Sequence, residues 1–363
     1  MKNLASKQRL VILSSILAVF ILAACSQKLV QQNSGNPAIT GEAPLRVAIA
    51  PYQDMAILVN AKSLGLEKKY DTKLELFTMP WEDIIPAVAS AGKTVDVGFA
   101  SLADYMCKTE NLNSQGDDPI LYIFPAYVFR GGGFITFNPK VAEIKTKDIN
   151  DVALIRKFFS YRIGVQKNSC CHMLLYLLAH NVGINFATLP IVDTTLNDGY
   201  LAAENGSLDA AAAGLTQRTE ALKHHGRVVV TMDNAGLVDI AGFICKESIY
   251  KKRKKNIEAL IKMWCDCASY VLCDLNHHSA ASLAYLKANS STKYTLDELK
   301  TALAQEYFPV SITAAERDII SSKGKYSIER ISKLCGEYLI DTGATKTVRP
   351  GPEIITVNKG QYE

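Results

Sequence analysis

The sequence lacks a strong net charge. Its 40 Lys and Arg residues face 36 Asp and Glu residues, which leaves a formal charge of +4 over 363 residues. Three of the basic residues, Lys2, Lys7 and Arg9, lie at the very start, so the rest of the chain is nearly neutral. A surface that binds nucleic acid needs an excess of positive charge. The composition therefore gives no support for a nucleic-acid partner.

Several motifs with a defined chemistry are also missing. The sequence contains no Walker-type phosphate loop and no internal repeat of solenoid length. Of its nine cysteines, eight follow position 25, and Cys265 and Cys267 lack the Cys-x-x-Cys spacing of redox and zinc sites. The eight are scattered through apolar helical segments, so we expect most of them to be buried apolar side chains. We predict no metal site and no cofactor.

The N-terminus has the pattern of an export signal. The three basic residues precede an uncharged apolar run from Leu10 to Leu22. This run is shorter than the roughly 20 residues that a membrane-spanning helix needs. It ends in Ala23-Ala24-Cys25, which resembles the cleavage site of a bacterial lipoprotein precursor. That resemblance implies a signal peptide over 1–24, acylation of Cys25 and a chain anchored outside the cell membrane; an uncleaved anchor helix is the alternative.

After a polar tether over 25–43, strands and amphipathic helices alternate. The segments 45–50, 73–78 and 94–100 read as strands, each followed by a helix, and a second series of the same kind runs from 160 to about 233. AGFICK, at 241–246, then resumes the first series, and the remainder reads as helices. This order predicts an α/β protein of two lobes, joined by a hinge of two crossings beside a central cleft. We place lobe 1 at 44–138 and 239–363, and lobe 2 at 139–238.

Four polar residues mark predicted helix starts. Asp54 and Asp83 are expected to cap the first two helices, with Pro86 in the first turn of the second. Ser169 is expected to be a cap rather than a nucleophile. Thr295, three residues before a Glu, predicts a capping box.

The order of the motifs resembles a known family. The stretch VAIAPYQDMAILVNAKSLGLEKKYDTKLELF at 47–77, the Ala-x-Ala-Gly-x-x-Val-Asp-Val-Gly run at 89–98 and GVQKNSCCHMLL at 164–175 are similar to segments of the substrate-binding lipoproteins of ABC importers, in the nitrate, sulfonate, taurine and thiamine-precursor family. The resemblance implies a type II periplasmic binding fold, no catalysis and delivery of a small solute to membrane permease subunits. It also implies a monomer.

Candidate binding residues follow from where such sheets bind ligands, which is beyond the carboxyl ends of the strands. We predict a ligand-binding set of Tyr52, Gln53, Asp54, Trp81, Glu82, Asp83, Ser101, Ser169, Cys170, Cys171, His172, Thr216, Gln217 and Glu220. Thr194, Asp198, Asp233 and Asp239 are further candidates.

The chemistry of this set points in two directions. Its carboxylates and aromatic rings, with no Lys or Arg among them, favour a nitrogen-containing ligand that is neutral or cationic. The N-termini of the helices that follow the strands favour an anion such as nitrate or a sulfonate instead. From the sequence both remain open.

Cys170, Cys171 and His172 leave two further alternatives. They resemble part of the cysteine cluster of the thiamine-pyrimidine synthases, which would imply an enzyme, and thiols beside an imidazole could hold a metal in a metal-binding lipoprotein. Successive side chains on a helix diverge by about 100°, however, so these three cannot converge on one ion without other residues.

Overall fold

Two five-stranded β-sheets organise the chain. The computed structural model describes residues 43–90, 93–114, 116–144 and 151–346. The signal peptide, Cys25 and nearly all of the tether that the sequence predicts lie outside these residues. With strands numbered along the chain, the first sheet has the order β2-β1-β3-β10-β4. Its strands are β1 (Leu45–Ile49), β2 (Leu74–Thr78), β3 (Val97–Ser101), β4 (Ile120–Phe129) and β10 (Asp239–Lys246).

The second sheet has the order β7-β6-β8-β5-β9. It consists of β5 (Gly133–Thr136), β6 (Ile163–Val165), β7 (Ile191–Asp193), β8 (Ala210–Ala213) and β9 (Arg227–Thr231). In each sheet three neighbouring strands are parallel, and the strand entering from the other lobe runs antiparallel to its neighbours. The predicted α/β architecture of two lobes is confirmed.

Helices connect and cover these strands. In the first lobe they are α1 (Leu66–Lys69), α2 (Trp81–Ala89) and α3 (Leu102–Ser114), preceded by a 3₁₀ helix at Met55–Ala61. In the second they are α4 (Pro139–Ala142), α5 (Val152–Phe158), α6 (Cys170–Asn181), α7 (Leu196–Glu204) and α8 (Leu215–Lys223). The C-terminal helices are α9 (Glu247–Cys273), α10 (Leu275–His278), α11 (Ala280–Asn289), α12 (Leu296–Leu303), α13 (Ile312–Ala315) and α14 (Ile328–Asp341). In the described part of the chain no helix has both the length and the apolarity needed to cross a membrane.

The chain crosses between the sheets twice, after β4 and after β9. The boundary predicted at 138 would leave β5 in lobe 1, whereas Gly133, Phe134 and Ile135 pair with β8 and β9 of the second sheet. The first crossing therefore lies at 130–132, and the second lies between Thr231 and Asp239. The prediction erred because two consecutive strands with a short connection look like a hairpin in sequence.

The last helix contacts both lobes instead of only the first. α14 packs against α3 of lobe 1, and its Tyr338 hydroxyl lies 2.5 Å from Nδ1 of His172 in α6 of lobe 2. Asp341 in α14 also accepts a hydrogen bond from Tyr176 of α6. The assignment of 239–363 to lobe 1 therefore does not describe α14.

The predicted caps are confirmed except at α2. Asp54 caps the 3₁₀ helix and Ser169 caps α6, while Thr295 forms the capping box at α12. α2 begins earlier than predicted, at Trp81, so Asp83 lies within its first turn and caps nothing. Pro86 falls in the second turn, where it cannot donate a backbone hydrogen bond.

Candidate ligand-binding cleft

A cavity lies between the two lobes at the ends of their strands. It contains about 700 Å³ of empty space, a volume that includes space open to solvent. Its first-lobe wall comes from the loop after β1, from α2, from the β3–α3 junction, from β4 and from β10, and its second-lobe wall comes from the N-terminal ends of α6, α7 and α8. The lining residues are Tyr52, Gln53, Asp54, Trp81, Ser101, Asp104, Tyr127, Phe129, Gln166, Ser169, Cys170, Cys171, Leu196, Gly214, Leu215, Thr216, Gln217, Asp239 and Ala241.

The first-lobe wall is acidic. Asp54, Asp104 and Asp239 all line the cavity and are all buried. Among the described residues no Lys, Arg or His joins them in the lining. Arg218 of α8 is not among the lining residues and donates to the carbonyl oxygen of Gly131 over 2.7 Å.

The three carboxylates differ in the hydrogen bonds and ion pairs that they form. Asp104 Oδ2 accepts hydrogen bonds from Trp81 Nε1 at 2.9 Å and Ser101 Oγ at 3.1 Å, and Oδ1 lies 2.7 Å from Lys108 Nζ. Asp239 Oδ1 accepts from the backbone N–H groups of Leu102 and Ile240. Asp239 Oδ2 is buried and accepts no hydrogen bond from the described residues.

Burial raises the pKa of two of these acids. Removal from water disfavours the charged form, and this effect, together with the nearby charge of Asp104, lifts the pKa of Asp239 to about 7. Hydrogen bonding to Ile240, Ser101 and Ala103 opposes the rise. Burial also raises the pKa of Asp54 to about 6. Behind Asp54, burial together with the Asp54 charge raises the pKa of Glu306. Two lining carboxyl groups, those of Asp54 and Asp239, thus have no positive partner among the described residues.

Aromatic rings form much of the remaining first-lobe wall. Tyr52, Trp81, Tyr127 and Phe129 line the cavity. The indole of Trp81 is fixed by its bond to Asp104. Burial raises the pKa of the Tyr52 phenol, so this hydroxyl remains protonated at neutral pH.

A polar network joins the lobes beside the cavity. Thr216 of α8 donates from Oγ1 to Gln53 Oε1 in lobe 1 over 3.1 Å, and Tyr294 donates its hydroxyl hydrogen to the same Thr216 Oγ1 at 3.1 Å. Thr292 Oγ1 donates to the carbonyl oxygen of Thr216. On the outer side, Lys223 Nζ of α8 lies 3.2 Å from Glu298 Oε1 of α12. The lobes are therefore held together across the cleft in this structure.

Of the four residues from Ser169 to His172, the first three line the cavity and His172 does not. Cys170 and Cys171 line the cavity, while Ser169 both lines it and accepts the α6 hydrogen bond from the backbone N–H of His172. The His172 ring points to the opposite side, towards Tyr338 and Phe186. Burial lowers the pKa of His172 to about 4, so the ring is neutral.

The two thiols and the imidazole thus diverge, as expected on a helix. Among the described residues no group of three His, Cys, Asp or Glu side chains is placed to hold a metal. The eight cysteines after Cys25 are all free thiols. Five are buried, as expected: Cys171, Cys245, Cys265, Cys267 and Cys335.

Several other predicted residues lie outside the cavity lining. Glu82 and Asp83, in the first turn of α2, are not among the lining residues; Asp83 is exposed, and the charge of Glu82 contributes to the raised pKa of Tyr52. Glu220 lies one turn beyond Gln217 and contacts His224 instead. Of the further candidates Asp239 lines the cavity, whereas Thr194, Asp198 and Asp233 do not.

Sequence reasoning missed some of the most informative lining residues. Asp104 was detectable, since it lies three residues after Ser101 in the first turn of the helix, where acidic side chains are common. Tyr127 and Phe129 were not, because they sit inside β4, and only the tertiary arrangement turns them toward the cleft. Glu306 and Tyr294 come from the C-terminal helical region and approach Gln53 across more than 200 residues.

Comparisons with known proteins identify the fold. No protein-family model matches the sequence, and no curated protein does. Solved structures do match. The periplasmic aliphatic sulphonate binding protein SsuA from Escherichia coli aligns with a TM-score of 0.58 at 13% identity, over 88% of this chain and 96% of that chain.

Two further solved structures share this fold. The periplasmic nitrate-binding protein NrtA from Synechocystis PCC 6803 aligns with a TM-score of 0.56 at 13% identity, over 70% of this chain and 68% of that chain. A Candida albicans protein described as having the generic periplasmic binding protein fold aligns with a TM-score of 0.59 at 13% identity, over 88% of this chain and all of that chain. The chain thus has the periplasmic binding protein fold that the sequence predicted.

Proposed function

We propose that this chain is the substrate-binding lipoprotein of an ABC importer, which captures a small nitrogen-containing solute, neutral or cationic, by closure of its two lobes. The observation that carries the proposal is the cavity itself, because both lobes contribute its walls and the Thr216–Gln53 bond joins them beside it. Structural neighbours whose names state sulphonate or nitrate binding support the same type of function.

The mechanism follows from the two crossings. A solute that contacts both walls binds the closed form more tightly than the open form, and so shifts the population toward closure. Closure brings together the surfaces of both lobes that a permease would contact, and opening there releases the solute unchanged. The protein acts as a monomer and needs no cofactor in this mechanism.

The thiols and His172 support binding rather than catalysis. A nucleophile needs a base within hydrogen-bonding distance. His172 is instead bonded to Tyr338 and turned away from Cys170 and Cys171. No observation favours the enzyme or the metal-binding alternative over the transport function.

A thermal-shift screen tests the proposed function. The full-length chain, purified in nonionic detergent, is screened against amines, guanidines, ureas, pyrimidines, nitrate and sulfonates. A true solute at 100 times its Kd stabilises the folded state by about 2.7 kcal/mol, which corresponds to roughly 5 °C. The solute should be recovered unchanged. Chemical turnover would favour the enzyme, and binding that a chelator abolishes would favour the metal-binding protein.

The lipid anchor is tested separately. We expect Cys25→Ser to leave the chain uncleaved and without a metabolically incorporated fatty acid, because the acyl acceptor is gone. Cys273→Ser is the matched control, since Cys273 is exposed and far along the chain, and it should still incorporate the label. Equal labelling of both variants would refute the anchor.

A further inference from the structure

The acidic wall of the cleft has a consequence for the charge of the solute. Burying an ionised carboxylate is costly unless a positive group accompanies it. Asp104 has such a group in Lys108. Asp239 has none in the lining, and Oδ2 accepts no hydrogen bond from the described residues even though the residue is fully buried. Asp239 lies in the lining of the cavity, so this oxygen has an unused capacity to accept a hydrogen bond beside the space where a ligand would bind.

We propose that the solute is an organic cation that directs an N–H group at Asp239 Oδ2. This assignment rests on the proposed function and specifies its ligand. Tyr52 and Trp81 line the same cavity, and the π-systems of such aromatic rings attract a cation. A charge-assisted N–H bond to a buried carboxylate is stronger than a neutral one, so the site discriminates by charge as well as by shape.

The helix N-termini that would favour an anion are largely occupied. Asp104 lies in the first turn of α3 and already meets its positive end. Ser169 caps α6 and Thr195 caps α7 with side-chain oxygens. Two of the cavity-lining helices lack a side-chain cap: α2, whose capping position is Pro80, and α8, whose capping position is Gly214. The first turn of α2 holds Glu82 and Asp83, which meet its positive end. An anion in the cavity would face Asp54, Asp104 and Asp239 with little compensation.

The same arrangement makes binding depend on pH. The titratable groups that face Asp239 from the elements around it are Asp104, Tyr122, Tyr127, Cys170, Cys171 and Cys335. Burial raises the pKa of the phenols Tyr122 and Tyr127 and of the thiol Cys335, so these three groups stay protonated near neutral pH. The hydrogen bond between the two thiols raises the pKa of Cys170 and lowers the pKa of Cys171. A bound cation favours ionised Asp239. Since the pKa of Asp239 without ligand is about 7, cation affinity should rise with pH and then level off.

Matched probes of different charge test the proposal. Benzamidinium, benzamide and benzoate share one shape and carry charges of plus one, zero and minus one; butylguanidinium, butylurea and pentanoate form a second set. We expect calorimetry on the full-length chain to show the cation binding about tenfold or more tighter than its neutral partner. Cation affinity should increase about tenfold from pH 5.5 to pH 7.5.

The variant Asp239→Asn links this selectivity to one residue. It should weaken cation binding about tenfold and reduce the pH dependence to the part contributed by Asp54, while circular dichroism shows the fold intact. Asp117→Asn, at an exposed aspartate outside the cavity, is the control and should leave binding unchanged. Asp54→Asn, tested in parallel, should also weaken binding, because it removes a second negative charge from the same wall.

The outcomes separate the two proposals. Tighter binding of the neutral or anionic probe, or cation binding that Asp239→Asn leaves unchanged, overturns the cationic ligand but keeps the solute-binding function. If no probe in either set binds at millimolar concentration, the cationic ligand is likewise rejected. The solute-binding function fails only if the wider thermal-shift screen finds no ligand of any charge.

Discussion

Protonation of Asp239 makes the stability of the folded state depend on pH. Its pKa is about 7 in the fold, well above the ordinary value of 3.8, so between these pH values the native state binds a proton that the unfolded state has lost. Stability contributed by this protonation is complete below about pH 4 and is lost as the pH rises toward 7. Asp54, with a pKa raised to about 6, acts in the same direction.

We predict that Asp239→Asn stabilises the ligand-free protein at pH 7.5, by on the order of 2–4 kcal/mol. Asparagine keeps an oxygen for the N–H groups of Leu102 and Ile240 without a buried charge. Thermal melts from pH 4 to 8 check this, and the fall in melting temperature across that range should be shallower in the variant. A variant that melts lower at pH 7.5 would mean that the charge serves the fold rather than the ligand.

At the level of residues, the sequence predicts which side chains line the cleft better than it predicts which carboxylates there lack a partner. Gln53, Ser101 and Thr216 could be predicted because side chains that follow the strands meet at one edge of a sheet. Glu82 lies outside the lining, in the first turn of the helix that begins at Trp81. The unpaired state of Asp239 Oδ2 could not be predicted, since it depends on every group that surrounds it.

Helix α9 is anchored to the first sheet through a buried ion pair. Arg253 interrupts the helical geometry of α9 and directs Nη1 to Asp96 Oδ2 at 3.0 Å and to the carbonyl oxygen of Pro44 at 3.0 Å. Both charged side chains are buried, and Arg46 binds the other carboxylate oxygen of Asp96. The pair therefore fixes the start of the long helix against the edge of β1 and β3.

We predict that Arg253→Ala destabilises the protein by about 3 kcal/mol, because it leaves Asp96 buried with one cation fewer. The neighbouring Lys252→Ala is the control, since Lys252 is exposed, and it should change stability by less than about 0.5 kcal/mol. Urea denaturation of the two variants gives the comparison. Equal stability of both would show that the pair adds nothing to the fold.

The first crossing between the lobes requires small residues. A Cβ atom added to Gly133 would lie 2.5 Å from the backbone oxygen of Val230, and one added to Gly131 would meet Leu215. We predict that Gly133→Ala costs about 1–3 kcal/mol through overpacking. Gly116→Ala is its control, because nothing lies within 4 Å of its added Cβ. In thermal melts, Gly133→Ala should lower the melting temperature and Gly116→Ala should not. An unchanged melting temperature for Gly133→Ala would refute tight packing at this position.

At the level of elements, the repeated strand–helix units were predictable from local pattern. The antiparallel places of β5 and β10 were not, because each strand pairs with neighbours more than 70 residues away in sequence. Local periodicity carries no information on which lobe such a strand joins. This is also why the first lobe boundary was predicted several residues too late.

At the level of the whole molecule, the closed arrangement of the two lobes depends on a few hydrogen bonds across the cleft. We predict that Thr216→Val shifts the protein toward an open form, because the change deprives Tyr294 and Gln53 of their shared partner. The loss of about 1–3 kcal/mol should increase the radius of gyration measured by small-angle X-ray scattering without ligand. It should also weaken solute binding about tenfold.

The exposed Thr313, in α13, provides a control for this experiment. Thr313→Val changes the same atoms far from the network and should leave the scattering curve unchanged. If Thr216→Val also scatters like the unaltered chain, the cross-lobe network does not hold the closed form.

The most direct test of the whole account is capture and recovery of the solute. The full-length chain is incubated with an extract of small metabolites, isolated, and unfolded, and the released molecules are identified by mass spectrometry beside an untreated sample of the extract. The account predicts one cationic compound, chemically identical to that in the extract, retained at about one per chain and depleted in Thr216→Val. Release of an altered compound, or retention of none, would contradict it.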